Sequence, residues 1–280
     1  MGGLRLASQS GGAPAAATLR TWGAVTELEP LLRFWRAQDA LFDRAEPVWW
    51  GAVVSDPRYP RIQEANYARV ETAHPVTLEE IEAELLPTMD RSGAARAHVV
   101  LFHPDDQTEL LAQASTRGER LTWDLVMEHS GPAGGADPRV EEVVTFGGGF
   151  WRAYRASARL FDITDQQDLD QLEAIERELL IPAGRRWFEV RERGRVVTLG
   201  ALLVLEGIGY VDHVVSVPLA RRRGYAGALT ARLVSEAARV GAERTYLLAE
   251  PGGGAAAMYE RRGFRRVTQI ASWITPPGAR

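Results

Sequence analysis

Short apolar runs alternate with amphipathic stretches through the second half of the chain. Two apolar runs flank Arg193-Gly194-Arg195, which predicts a β-hairpin. Thr164 and Gln167 fit a capping box that opens a helix, and Gly241 marks the end of another. The pattern predicts strands at 151–156, 187–192, 196–205, 210–217, 245–249 and about 265–274, with helices at about 164–180, 224–240 and about 254–262.

The first half shows a similar alternation of apolar and amphipathic segments. Thr77 and Glu80 fit a second capping box, which opens a helix that runs to about Met89. The remaining pattern predicts strands at 18–25, 98–102 and 121–127, and helices at 28–41 and 105–116. The chain therefore predicts a mixed α/β protein.

One stretch of the first half resembles a stretch of the second. An apolar strand leads to Pro104, then a helix leads to Gly118 and a further strand. In the second half Pro251 and Gly263 hold the corresponding places. A duplicated α/β unit explains this spacing, and so does chance similarity between two strand–helix–strand units.

Length and composition set the broad class. A chain of 280 residues suits two domains. Its hydrophobic content of 45% and charged content of 25% are ordinary for a soluble globular protein. It has no apolar run of the ~20 residues that a membrane span needs, no signal-peptide pattern near its start and no Cys. We therefore expect a cytoplasmic protein. The net charge of −4 argues against a basic nucleic-acid binder.

A Gly- and Pro-rich segment divides the chain. Residues 131–139 have the composition of a linker, and Gly147-Gly148-Gly149 follows closely. The predicted organisation is a flexible tail over 1–17, a first domain over 18–130, a linker over 131–142 and a second domain over 143–280.

The strongest chemical signal follows the strand predicted at 210–217. There a basic turn runs directly into the helix, with the pattern Arg221-x-x-Gly224-x-Ala226. A helix N-terminus carries unpaired N–H groups and partial positive charge. Gly224 and Ala226 let an anion approach the backbone closely, and Arg222 and Arg223 add charge. The turn predicts a diphosphate cradle, although a basic helix start that binds nothing has the same pattern.

The second half resembles the GNAT superfamily of acyl-CoA-dependent N-acyltransferases over roughly residues 145–275. Arg221-x-x-Gly224-x-Ala226 matches that family's pyrophosphate loop, and Val215-Ser216-Val217-Pro218 matches its fourth strand. The segment from Ala255 through Met258-Tyr259-Glu260 to Gly263-Phe264 matches its late helix and turn. One departure is Gly252, because the family often has Asn there, which puts one pantetheine contact in doubt.

The resemblance implies an acetyl-CoA or other acyl-CoA cosubstrate and direct acyl transfer to an amine. In the family, backbone amides of the fourth strand bind the pantetheine, and we assign these to Val215 and Val217, with Ser216 between them. Amides from Arg222 to Gly227, including that of Tyr225, would hold the diphosphate. Tyr259 stands where the family has its general acid, and a phenol with a pKa near 10 can protonate a departing thiolate.

Two residues of the fourth strand are candidates for the base. Asp212 and His213 are adjacent, so we expect their side chains on opposite faces of the sheet. Position in the family favours Asp212, whereas His213 has the better intrinsic pKa. Glu189 and Glu206 are weaker candidates because hairpin carboxylates are usually exposed. The histidines show no metal-ligand spacing, so we expect no metal.

The first half resembles a degenerate copy of the same fold, so the resemblance implies two GNAT-like domains in tandem. It lacks the Arg-x-x-Gly-x-Gly/Ala loop and has Ala114 where the late helix would carry Tyr, so we expect no cofactor there. Its aromatic segments, Trp49-Trp50 and 57–67, suit an acceptor pocket between the halves or simple packing. Two other functions stay open: aminoacyl transfer from a charged tRNA to a small-molecule amine, and non-catalytic acyl-CoA binding. The amine acceptor and the oligomeric state do not follow from the sequence.

Overall fold

The computed structural model describes residues 28–131, 134–135 and 137–275. The helices are α1 (Glu29–Asp39), α2 (Leu78–Ser92), α3 (Thr108–Thr116), α4 (Gly148–Ala158), α5 (Gln166–Ile175), α6 (Tyr225–Arg239) and α7 (Gly254–Glu260). The strands are β1 (Arg44–Val48), β2 (Gly51–Ser55), β3 (Tyr67–Val70), β4 (Ala97–Leu101), β5 (Thr122–His129), β6 (Val140–Glu142), β7 (Arg186–Glu192), β8 (Arg195–Leu205), β9 (Ile208–Ser216), β10 (Arg244–Ala249) and β11 (Arg265–Thr275).

These strands form one mixed sheet in the order β1-β2-β3-β4-β11-β5-β10-β9-β8-β7-β6. The pairs β3–β4 and β9–β10 are parallel, and the other neighbours are antiparallel. Helices cover both faces, so the predicted mixed α/β fold is confirmed. Side chains alternate between two layers: along β4, Val100 and Phe102 join the core under α1, α4 and α5, whereas Val99 and Leu101 pack with α2 and α3. The helices α6 and α7 cover the second face farther along.

The two halves exchange a strand at the centre of the sheet. β11, from the second half, lies between β4 and β5 of the first half, and β5 in turn lies between β11 and β10. Each half therefore completes its partner's sheet. The buried side chains of β5 and β11 contribute to the cores of both halves, so the exchange joins them into one packed structure.

The exchanged ladders are equivalent. Residues 97–101 of β4 pair with 275–271 of β11, and residues 245–249 of β10 pair with 129–125 of β5. An offset of 148 residues (97 to 245) thus relates β4 to β10, and one of 146 (129 to 275) relates β5 to β11. The repeat predicted from the Pro and Gly spacing has a structural counterpart in these two ladders.

Several local predictions differ from the structure. Residues 151–156 belong to α4, because Phe150, Trp151, Tyr154 and Ala158 are buried with helical spacing. The N-cap of α5 is Asp165, whose side chain accepts from the N–H groups of Gln167 and Asp168, rather than Thr164. The predicted linker includes β6, and β1, β2 and β3 were not predicted. The predicted tail over 1–17 and the strand over 18–25 lie outside the described residues.

Candidate active site

A cleft opens between β9 and β10. The two strands pair in parallel only as far as Tyr210 and Tyr246, although β9 continues to Ser216 and β10 to Ala249. Beyond that point β10 stays with β5, and β9 stays with β8. The diverging strands leave one edge of β9 without a neighbouring strand from residue 211 onward.

The corresponding strands of the first half stay closed. The offset of 148 residues between β4 and β10 makes His98 the counterpart of Tyr246. His98 pairs with Tyr67 and Tyr246 pairs with Tyr210, so Tyr67 is the counterpart of Tyr210. The β3–β4 pairing continues for three more residues, to Val70 and Leu101. The hydrogen bonds that are missing in the second half are thus present in the first, and no equivalent cleft exists in its described residues.

The free edge of β9 presents alternate backbone groups. Val217 donates its N–H to the carbonyl of Val197 at 2.9 Å, on the β8 side. Because strand amides alternate in direction, the N–H of Val215 points to β8 as well, and those of Val214 and Ser216 point to the cleft. The side chains of Ser216 and Thr198 bond at 2.8 Å, as expected for a non-hydrogen-bonded pair. The predicted donors were the amides of Val215 and Val217. In the structure the amides at the cleft are instead those of Val214 and Ser216, one residue earlier in each case.

The loop after β9 leads into an uncapped helix. A 3₁₀ turn, Pro218–Ala220, is followed by Arg222 and Gly224, both with positive φ (60° and 83°). Gly224 is the N-cap of α6 and makes no side-chain cap. The first intrahelical bond runs from Ala228 N–H to the Gly224 carbonyl. The N–H groups of Tyr225, Ala226 and Gly227 therefore precede the helical ladder and remain available to an anion.

Arginine side chains surround this helix start in unequal roles. Arg223 pairs with Glu192, with Nη2 at 2.6 Å from Oε1, and Arg221 Nε donates to the Ser216 carbonyl at 3.3 Å. Arg222 makes no ion pair within the described residues. A further arginine, which the sequence pattern did not indicate, lies across the first turn: a Cβ on Gly227 would stand 2.8 Å from Arg262 Nε. Gly227 therefore leaves room for the Arg262 guanidinium.

The helix α2, which follows β3 in the first half, begins differently from α6. The Thr77 side chain caps α2 by accepting from Glu80 N–H, and the Glu80 side chain accepts from Thr77 N–H, so the predicted capping box is confirmed. Glu79 and Glu80 place negative charge in the first turn. An acidic, capped helix start repels an anion, whereas the α6 start is basic and open.

Tyr259 lies on α7 beside the mouth of the cleft. Its ring is buried and packs 5.8 Å from Phe264. Burial raises the pKa of Tyr210 well above its usual value, and the Tyr259 phenol contributes to this shift. Tyr210 is the last β9 residue that pairs with β10, so the Tyr259 phenol acts electrostatically on the point where the strands separate.

Asp212 is held by a buried ion pair. Arg185 Nη2 donates to its Oδ2 at 2.6 Å, and its Oδ1 accepts the backbone N–H of His213 at 2.7 Å. Arg185 also lies 3.3 Å from Glu176, on a π-helical turn that extends α5. Burial acts to raise the pKa of Asp212, but the Arg185 guanidinium outweighs it and holds this pKa below the usual value. With both oxygens engaged, Asp212 does not fit the predicted role of base.

A β-bulge places His213 on the same face as Asp212. Leu199 pairs with Val215 and Ala201 with Asp212, so Gly200 alone opposes two residues. His213 takes up the extra residue with a φ of 55°. Its ring packs against Tyr154, Phe161 and Trp187, while the Arg185 partner of Asp212 lies over Trp187. The expectation that the two side chains point to opposite faces is wrong, because the bulge interrupts the alternation.

His213 is buried and neutral at pH 7. Burial lowers its pKa to about 4, and its Nε2 lies 2.6 Å from Ser157 Oγ. Such a group is a weak proton acceptor. The other predicted carboxylates are occupied or remote: Glu189 pairs with Arg191 at 2.5 Å, and Glu206 occupies the β8–β9 turn.

The aromatic segment over 57–67 forms a contact between the halves. Tyr59 donates its hydroxyl to Glu178 at 3.0 Å, and Arg61 pairs with Asp168 at 2.5 Å. Trp50 is buried and Trp49 is 59% exposed at the β1–β2 turn. The packing alternative therefore accounts for 57–67 and for Trp50.

The comparisons with known proteins agree with this geometry. Residues 150–264 match the model of the acetyltransferase (GNAT) family. This segment belongs to the GNAT acetyltransferase family. The matched residues contain the cleft, the α6 start and Tyr259. No curated protein matches the chain.

Solved structures share the fold. One is a functionally unknown conserved protein from Staphylococcus epidermidis ATCC 12228, with 9% identity and a TM-score of 0.60, covering 80% of this chain and 90% of that chain. Another is a GCN5-related N-acetyltransferase from Kribbella flavida, with 18% identity and a TM-score of 0.59, covering 88% of this chain and 95% of that one. At these identities the likeness concerns the fold alone.

Metal sites and membrane spans are both missing from the part of the chain that the structure describes. It contains no group of three or more histidine or carboxylate side chains placed to hold a metal ion. Within the same residues, every helix falls short of the length and apolar character needed to cross a bilayer.

Proposed function

We propose that the protein is an N-acyltransferase that moves an acetyl or other acyl group from acyl-CoA directly to an amine. The observation that carries this proposal is the alignment of the β9–β10 cleft with the open N-terminus of α6. The cleft suits an extended pantetheine arm along the free edge of β9, with the amides of Val214 and Ser216 as its donors. The diphosphate would then lie on the N–H groups of Tyr225 to Gly227, beside Arg222 and Arg262.

The transfer needs a polarised thioester, a neutral amine and a proton for the leaving thiolate. The amine nitrogen attacks the thioester carbonyl, the N–C bond forms and the C–S bond breaks. A β9 amide at the cleft edge stabilises the developing oxyanion, and Tyr259 donates its phenolic proton to the sulfur. The reaction takes place in a ternary complex of the enzyme, acyl-CoA and amine, without a covalent enzyme intermediate. Asp212 supports the bulge of β9 and leaves removal of the amine proton to another group.

The alternative donor, a charged tRNA, has less support. Its recognition needs a broad basic surface, whereas the net charge is −4 and Arg221 and Arg223 are already engaged locally. A non-catalytic acyl-CoA-binding module would share the cleft and the α6 start. It would have no requirement for the Tyr259 hydroxyl, so replacing that residue separates the two functions.

Calorimetric titration with acetyl-CoA and with free CoA tests the proposal. Gly224→Asp places a carboxylate at the α6 start, and Gly241→Asp is its matched control at the other end of the same helix. Both glycines have positive φ (83° and 87°), and at each of them a Cβ would meet no atom within 4 Å, so the two substitutions impose similar strain. We expect micromolar binding that Gly224→Asp abolishes and Gly241→Asp retains. Equal binding by both variants would contradict the cradle.

Tyr259→Phe completes this experiment. An enzyme should keep its CoA affinity and lose about 10²-fold in turnover, the usual contribution of a general acid. Turnover is followed as thiol release in the presence of primary amines. Unchanged thiol release by Tyr259→Phe would remove the phenol from the mechanism, and no CoA binding by the wild-type protein would overturn the acyl-CoA proposal.

A further inference from the structure

A buried carboxylate from the first half interacts electrostatically with Asp212 and Tyr154. Glu64 lies in a 3₁₀ turn, Gln63–Ala65, just before β3. Asn66 fixes this turn by donating to the carbonyls of Tyr59 and Ile62 at 2.8 and 2.9 Å. Glu64 is only 7% exposed. The Asn66 hydrogen bonds therefore hold the backbone that carries Glu64 in place.

Among the described residues, Glu64 forms no ion pair with an arginine. Its Oε1 atom is buried without a hydrogen-bond partner in the described structure. The neighbouring Arg61 forms ion pairs with Asp165 and Asp168. Arg185 forms ion pairs with Asp212 and Glu176. The carboxylate accepts local hydrogen bonds from its own backbone N–H and from the Gln63 side chain. A buried carboxylate with one unsatisfied oxygen and no ion pair is costly, so this arrangement points to a ligand that supplies a positive charge.

The cluster has an excess of acid on the face where β9 leaves β10. Glu64 interacts electrostatically with Asp212. Burial raises the pKa of Tyr154, and the charges of Glu176, Asp212 and Glu64 add to this shift. Against these three carboxylates the cluster holds one guanidinium, that of Arg185. Burial, with the Asp212 charge adding to it, raises the pKa of Glu64 to about 7. A second unpartnered polar atom, His213 Nδ1, is buried in the same cluster.

We propose that Glu64 binds the ammonium group of the acceptor and takes its proton before acyl transfer. The acceptor is then a primary amine that enters between the halves, from the side of the 57–66 segment, while the acyl-CoA occupies the β9–β10 cleft. The ammonium N–H bond breaks, its proton passes to a Glu64 oxygen, and the freed lone pair attacks the thioester. As the C–S bond breaks, Tyr259 gives its proton to the sulfur, and the tyrosinate takes the second proton from the nitrogen. This inference rests on the proposed function. It assigns a part in catalysis to the first half, whose described residues form no equivalent cleft.

The test compares Glu64→Gln with the wild-type protein and with Glu178→Gln, an exposed carboxylate at the same contact between the halves. Tyramine, ethanolamine, n-butylamine and spermidine are the probes, each measured for acetyl-CoA-dependent thiol release and, by calorimetry, for binding to the CoA-loaded protein. We expect Glu64→Gln to lose about 10²-fold or more in kcat/KM, to lose amine binding and to keep its CoA affinity. Glu64→Asp should restore part of the activity, and Glu178→Gln should behave as wild type.

Thermal unfolding separates this role from a structural one. Removing a buried charge that lacks a partner should leave the melting temperature of Glu64→Gln at pH 8 equal to or above that of the wild type. A lower melting temperature with a proportional loss of activity would identify Glu64 as structural and overturn the proposal. Equal amine binding and turnover by Glu64→Gln, or no binding of any probe amine to the wild type, would also overturn it. Loss of CoA binding in the wild type is a separate result that refutes the proposed function.

Discussion

Replacing Asp212 by Asn tests whether this residue supports the β9 bulge or removes a proton. The amide keeps the size of the side chain and an oxygen that can accept the His213 N–H. It removes the charge that faces Arg185 at 2.6 Å. Arg185 then retains only Glu176, at 3.3 Å. The variant thus breaks one buried ion pair with little change in packing.

The expected cost follows from this geometry. Breaking a buried pair by removing one partner costs about 3–5 kcal/mol, because the other charge stays buried. Since Glu176 still compensates Arg185 in part, we expect a loss near the lower end, about 3 kcal/mol. The pKa of Asp212 lies below its usual 3.8 in the folded protein, so its contribution is complete above pH 4 and disappears only as the pH falls through the folded pKa. The deficit of Asp212→Asn should therefore be constant from pH 5 to pH 9, apart from a small decrease near pH 7, where Glu64 ionises and repels the Asp212 charge of the wild type.

Urea unfolding measured by tryptophan fluorescence provides the assay, because Trp187 lies 5.2 Å from the Arg185 guanidinium. The triple variant Asp212→Leu/Arg185→Met/Glu176→Gln is the control, because Glu176 also pairs with Arg185 and the amide keeps an acceptor for Trp187 Nε1. Replacing every charge of a buried cluster by neutral residues of similar size is often neutral for stability, so it should recover most of the loss. If Asp212→Asn instead keeps wild-type stability and CoA affinity but loses 10²-fold or more in turnover, Asp212 is the base and the structural role is refuted.

Two further predictions concern the contact between the halves. Because burial raises the pKa of Glu64 from 4.5 to about 7, the folded protein holds a proton that the unfolded chain releases; stability should fall by about 3 kcal/mol as the pH rises from 4.5 to 7. Urea unfolding at several pH values should show this slope reduced in Glu64→Gln, and an equal slope in both proteins would contradict the shift. A fragment of residues 140–275 lacks β5, the strand that lies between β10 and β11. Circular dichroism and gel filtration should show this fragment unfolded or aggregated when it is expressed alone, and soluble when it is coexpressed with residues 1–139. A monomeric, folded fragment would show that the exchanged strand is dispensable.

Local features of the fold could be predicted from the sequence because their causes are local. The capping box at Thr77, the β7–β8 hairpin and the start of α6 at Gly224 depend on residues a few positions apart. The error at 151–156 has the same scale: a short apolar segment suits a strand or a helix, and the helical spacing becomes clear only when Phe150 and Ala158 are included.

The chemistry below the cleft depends on distant partners. Arg185 precedes Asp212 by 27 residues, so the pair that fixes the aspartate has no local signature. The bulge at His213 is visible only in its pairing with Gly200 on β8. Glu64 comes from the other half of the chain, and nothing near it in sequence suggests an electrostatic interaction with Asp212. The ion pair, the bulge and the shifted pKa values of these residues therefore arise from where the fold places them, and not from their neighbours in the sequence.

The strand exchange explains how one working cleft arises from two similar halves. In the first half β3 and β4 remain hydrogen-bonded through Val70 and Leu101, so its sheet is closed where the second half opens. An open parallel pair forfeits backbone hydrogen bonds and needs support from the rest of the sheet. Here β5 pairs with the outer edge of β10 over five residues, and α1 places Phe34 against Tyr210 at 5.0 Å, beside the last β9–β10 pair. Both supports come from the first half. The first half, whose described strands form no such cleft, therefore contributes both contacts that flank the open pair.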